Sequence, residues 1–177
     1  MLRLTLASKD EIFRALAESL LQRVDAAVKQ ARAASGPIDA RLLAVLEAKF
    51  GLFFETVHSS AHAAELMDSK NRLSAEMFER AGRSYMKVLR EMIAEAARRG
   101  EISPSRMGLD AGDLAEMLVA AAQGVASGAA SAPIFHRRLG EIVRVIVAGL
   151  YVPSGARAAS HAKPRAKIPA SANSIAK

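Results

Sequence analysis

The stretch that most constrains this chain is LAEMLVAAAQGVASGAAS, residues 114–131. It is apolar around nearly its whole circumference, and Glu116 is its one charge. A helix of that kind needs cover on more than one side. Asp110 or Asp113 can cap its start. Pro133 then suits the first turn of the next helix, PIFHRRLGEIVRVIVAGLYV, which Pro153 stops. That second helix carries Ile134, Leu139, Ile142, Val143, Ile146, Val147 and Leu150. In a chain of 177 residues, one side of such a pair is expected to face its own domain and the other a second subunit. Gly124 and Gly128, four apart, allow another helix to approach closely. The expected seam therefore comprises Leu118, Ala121, Gly124, Val125, Gly128, Leu139, Ile142, Val143, Ile146 and Leu150, and the expected partner is a second copy. The alternative is an internal helix–helix contact.

The rest of the chain also reads as helix. Ser8 and Glu11 form a capping-box pattern. Ile12, Leu16, Leu20, Val24 and Ala27 recur at helical spacing behind it, with Phe13 and Leu21 widening the stripe. This helix is expected over about 9–33, broken by Ser35-Gly36-Pro37. Asp39 is placed to cap the next, which carries Leu42, Leu43, Leu46, Phe50, Phe53, Phe54 and Val57 and ends near 58–60. A short helix is read over 61–67. Asp68 or Ser69 opens a long one through Leu73, Met77, Phe78, Tyr85, Val88, Leu89, Met92, Ile93 and Ala96. It closes at Arg98-Arg99-Gly100, a basic last turn followed by a glycine. Residues 101–107, with Pro104, read as a loop. The expected fold class is all-α, with six or so helices, and no internal repeat is visible.

Several function classes drop out. No cysteine is present, so disulfides and thiolate metal sites are excluded. Residues 114–130 carry Glu116 and Gln123, and 142–152 are too few to span a bilayer, so no membrane segment is expected. No export signal is evident, which suits a cytoplasmic protein. His58, His62 and Glu65 have spacings that can share a metal, but the pattern lacks the glutamate of a zinc-protease helix and Ser59-Ser60 interrupts it, so no metal or other cofactor is expected. No phosphate loop, nucleophile elbow or paired carboxylates stand on a recognisable frame, so the chain is not read as an enzyme. Residues 153–177 hold Arg157, Lys163, Arg165, Lys167 and Lys177 and no acid, so most of the net charge of +7 lies there. This segment is read as a basic disordered tail. An alternative function follows from it: a helical adaptor or nonspecific nucleic-acid-binding protein acting through the tail.

The stretch Ala7-Ser8-Lys9-Asp10-Glu11-Ile12-Phe13 resembles the join in TetR/AcrR-family transcriptional regulators where the DNA-binding unit ends and the fourth helix begins. The family typically reads Ser-Lys-Asp/Glu, one residue, then Leu/Ile-Phe at this point. Leu6 stands where the family usually has Phe. The later helix order, the Gly-Glu-Ile-Ser of 100–103 and the segment HAAELMDSKNRLS at 62–74 are also similar to the family. The resemblance covers about residues 7–152. It implies a TetR-like C-terminal bundle over 8–152 that binds an effector and dimerises, its last two helices forming a four-helix dimer interface.

Family members precede this join with a helix-turn-helix unit. Here residues 1–7 read as the remnant of that junction, so specific operator binding is not expected from this chain by itself. DNA would be reached through the missing N-terminal domain or a heterodimer partner. The family's ligand enters an apolar pocket among the middle helices and moves the fourth helix. The matching helices here offer Phe50, Phe53, Phe54, Met77, Phe78, Tyr85, Met86, Met117 and Gln123. The expected effector is a small apolar molecule, since aromatic and methionine side chains accommodate varied apolar shapes.

Overall fold

The computed structural model describes residues 9–59 and 72–151. These form five α-helices and one 3-10 turn: α1 (Lys9–Arg32), α2 (Ile38–Ser59), α3 (Arg72–Arg98), the turn (Pro104–Met107), α4 (Ala111–Gly128) and α5 (Ala132–Ala148). The fold is all-α, as the periodicity implies. The helix expected over 61–67, the Ser8 cap, the junction 1–7, the tail 153–177 and the metal spacing through His62 and Glu65 lie outside the described residues.

The apolar periodicity sets which face of each helix turns inward, except at the start of α1, where Ile12 and Leu16 of the expected stripe are 51% and 52% exposed. α1 buries Ala17, Leu20, Val24 and Val28, and α2 buries Ile38, Leu42, Val45, Leu46, Phe50 and Phe54. These recur every three or four residues, the spacing of one helical face. α2 is the central helix and packs against α1, α3, α4 and α5. The C-terminal pair covers its far side with Leu114, Leu118, Phe135, Leu139, Val143 and Val147, all essentially inaccessible. Phe135 stacks on Phe54 with ring centroids 5.0 Å apart.

The helix ends explain the breaks. Gly36 takes φ 132°, where a side chain is strained, and turns the chain between α1 and α2. The carbonyl of Pro37, not the Asp39 side chain, starts α2 by accepting from the Arg41 amide at 3.1 Å. Asp39 instead accepts the Tyr151 hydroxyl at 3.1 Å. α3 ends in a Schellman motif: the amides of Gly100 and Glu101 donate to the carbonyls of Ala97 and Ala96, at 3.0 and 2.9 Å, with Gly100 at φ 69°. Asp110 caps α4. Its carboxylate accepts from the amides of Gly112 and Asp113 at 2.6 and 2.9 Å, and the Asp113 carboxylate accepts from the Asp110 amide at 2.8 Å.

Two boundaries differ from expectation. Residues 101–107 contain a turn of 3-10 helix rather than plain loop. α5 stops at Ala148, before Pro153, because the chain turns at Gly149 to bury Leu150. The Ser103 amide then donates to the Leu150 carbonyl at 2.8 Å, and Ile102 and Tyr151 form an isolated antiparallel bridge. This bridge ties the end of α5 to the loop after α3.

Candidate functional site

Between α1 and α3 lies an open cleft of about 440 Å³, within the roughly 300–1,000 Å³ range of small-molecule sites. α1 contributes Leu21, Gln22, Val24, Asp25 and Val28, and α3 contributes Met77, Arg80, Ala81, Ser84, Tyr85 and Val88. Val24 and Val28 use the buried stripe of α1, while Gln22 and Asp25 project from its margin. Arg32 pairs with Glu91 at 2.8 Å, one turn beyond Val28 and Val88. That pair bounds one end of the cleft.

Tyr85 forms the floor and is 5% exposed. Its hydroxyl donates to the Val45 carbonyl of α2 at 3.2 Å. Burial raises the phenol's pKa above its ordinary value, so the group stays a neutral donor. The Phe50 ring meets Tyr85 edge-on at 6.2 Å. The Lys49 ammonium lies 4.3 Å from the Tyr85 centroid and 5.1 Å from that of Phe50. Desolvation lowers the Lys49 pKa, and the two ring faces supply part of the lost hydration. Tyr85 therefore links the cleft to α2 through a hydrogen bond, a cation–π contact and an aromatic edge.

The nine residues offered for a pocket separate into groups. Met77 and Tyr85 line the cleft. Phe50 and Phe54 are core residues, and Phe53 meets Phe78 at 6.0 Å as a half-buried pair between α2 and α3. Met86 packs partly buried against the core. Met117 and Gln123 are exposed on α4 and do not line the cleft. The α1 wall and Arg80 were not anticipated. A cleft depends on how two helices are placed against each other, which the apolar spacing of either helix alone does not encode. The signal present in the sequence was Gln22 and Asp25 flanking the buried stripe.

The proposed seam also divides. Leu118, Val125, Leu139, Val143 and Leu150 are buried within the single chain. The larger apolar side chains of α4 and α5 fill the core beside α2, and the smaller ones remain outside. Ala121, Ile142 and Ile146 are half-buried, while Gly124 and Gly128 are exposed. A Cβ added at either glycine meets nothing within 4 Å. Met117 (45% exposed) and Val145 (74%) extend this surface. Met117, Ala121, Gly124 and Gly128 share one side of α4 by their spacing, as Ile142, Val145 and Ile146 do on α5. Arg138, one turn before Ile142, donates to the Gly128 carbonyl at 3.1 Å, so the two stripes meet.

Among the described residues no cluster of His, Asp or Glu has the makings of a metal site. No described helix is long and apolar enough to cross a membrane. No family model and no curated protein matches the chain. A protein of unknown function from Rhodococcus sp. RHA1 has a similar structure: TM-score 0.58 and 22% identity, covering 84% of this chain and 76% of that one. At that identity the likeness concerns the fold.

Proposed function

We propose that this chain is the small-molecule-sensing and dimerising part of a TetR-like transcriptional regulator. The observation that carries the reading is the apolar cleft whose one wall is α1 and whose floor is Tyr85. α1 is the helix that the Ser-Lys-Asp-Glu resemblance places next to the DNA-binding unit. A ligand wedged against Leu21, Val24 and Val28 contacts that helix directly, so binding biases its position relative to α3. Such a bias needs a difference in affinity between two arrangements, and the cleft, being open, allows one. The apolar stripe of Met117, Gly124, Gly128 and Val145 supplies a surface on which two copies pair, and pairing would turn a shift of α1 into a change between two heads.

Thermal-shift screening with a panel of small apolar compounds tests the reading, run on the wild type and on Ala81→Phe. Ala81 lines the cleft, and a phenyl ring there fills it. The reading predicts compounds that raise the wild-type Tm and lose their effect on the variant. A panel that moves neither protein contradicts it, as do compounds that stabilise both equally.

A further inference from the structure

We infer that the α1–α3 cleft takes an amphipathic carboxylate, a chain-like apolar body with one anionic head, and that Arg80 holds the head. This deepens the reading of the cleft as a ligand site and rests on it. The cleft is divided by chemistry. Leu21, Val24, Val28, Met77 and Val88 give it an apolar body, and Arg80 is the one cation lining it. Three cations on adjoining turns are paired: Lys29 with Asp25 at 2.7 Å, Arg32 with Glu91 at 2.8 Å and Arg83 with Glu79 at 3.6 Å. Lys49, against the Tyr85 ring, is not among the lining residues. Arg80 forms no ion pair among the described residues. Its guanidinium is free to meet a carboxylate in the bidentate geometry that Arg and carboxylates share.

Asp25 is the one acid in the lining, and Lys29 on the next turn offsets its charge. Gln22 and Ser84 add hydrogen-bonding groups beside the head. Arg80 lies two turns before Val88 on α3, about 12 Å along the helix. The head and the tail of an extended ligand therefore have separate places, with the tail directed at Val28 and Val88. One unpaired guanidinium, with no second free cation in the lining, suits a singly charged carboxylate better than a doubly charged phosphate ester.

The chain has no Trp and two Tyr, which supplies a direct readout. Tyr151 lies away from the cleft and is 41% exposed. In a Tyr151→Phe background, Tyr85 is the sole tyrosine and can be excited selectively over phenylalanine, and it forms the cleft floor. Decanoate and decanol are titrated separately, both below micelle-forming concentration. The inference predicts a saturable change in Tyr85 emission with decanoate and about tenfold weaker binding of decanol. Adding Arg80→Gln should weaken decanoate about tenfold and leave decanol unchanged, with Arg80→Lys intermediate. Equal affinity for the two compounds, or decanoate binding indifferent to Arg80→Gln, overturns the carboxylate assignment and leaves the cleft reading standing. Absence of any response to either compound, together with a silent thermal-shift panel, overturns both.

Discussion

The Lys49 ammonium sits 4.3 Å from the centroid of the Tyr85 ring, although α2 offers that position as part of its inward stripe. Lys49 follows Leu42, Val45 and Leu46 at helical spacing, where an apolar residue is the rule. No ion-pairing carboxylate accompanies it among the described residues. The aromatic faces of Tyr85 and Phe50 replace part of the water the ammonium gives up. The contact joins α2 to the floor of the α1–α3 cleft.

A lysine whose pKa is lowered on folding binds fewer protons in the native than in the unfolded chain. Stability contributed by this position therefore rises with pH, from the lowered native pKa up to the unfolded value near 10.5. Lys49→Met removes the titrating group and keeps the linear stem. Urea unfolding at pH 7 and at pH 9.5 should show the wild type gaining stability relative to Lys49→Met at the higher pH. An equal difference at both values disproves the effect.

Tyr85 acts in the opposite sense. Its pKa is raised by burial, so the native state retains a proton that the unfolded state loses, and stability falls as pH rises above about 10. Tyr85→Phe deletes the bond to the Val45 carbonyl, which retains its place in the α2 ladder. The expected cost is about 1 kcal/mol in urea unfolding. Because the hydroxyl points to α2 and not into the cleft, ligand affinity should not change. A large loss of affinity in Tyr85→Phe would place the hydroxyl in the ligand site.

Asp110 caps α4 through the amides of Asp113 and Gly112, and those bonds hold its carboxyl below the usual carboxylate range. The contribution is present above pH 3.8 and is lost as pH falls through the lowered native pKa. Asp110→Ala should lower Tm by a few degrees at neutral pH, and Asp110→Asn should retain most of the cap. Thermal unfolding followed by circular dichroism checks both, and equal Tm values for Asp110→Ala and the wild type contradict the role.

Much of the fold was legible because helical spacing and end signals are local. Gly36, Gly100 and Asp110 mark breaks and caps that depend on a few neighbouring residues. The end of α5 was less legible, because the chain beyond Gly149 is held by contacts of Leu150 and Tyr151 with Ser103 and Ile102, far away in sequence. The inward and outward sides of α4 and α5 were also ambiguous. Both are apolar, and packing against α2 and α3 separates buried Leu118 and Val143 from exposed Gly124 and Val145. The cleft was half legible: Met77 and Tyr85 stood out as chemistry, while Leu21 and Val24 read only as parts of the α1 stripe.

The outward stripe on α4 and α5 is the surface on which the proposed sensor would pair with its copy. Light scattering coupled to size exclusion at micromolar concentration measures this directly, on the wild type and on Gly124→Glu and Val145→Glu. Both positions are exposed in the single chain, so neither charge disturbs the core. The account predicts a wild-type mass about twice 18.8 kDa, and single-chain masses for both variants with unchanged helical circular dichroism. A wild-type mass of 18.8 kDa at every concentration, or variants that remain double, contradicts it.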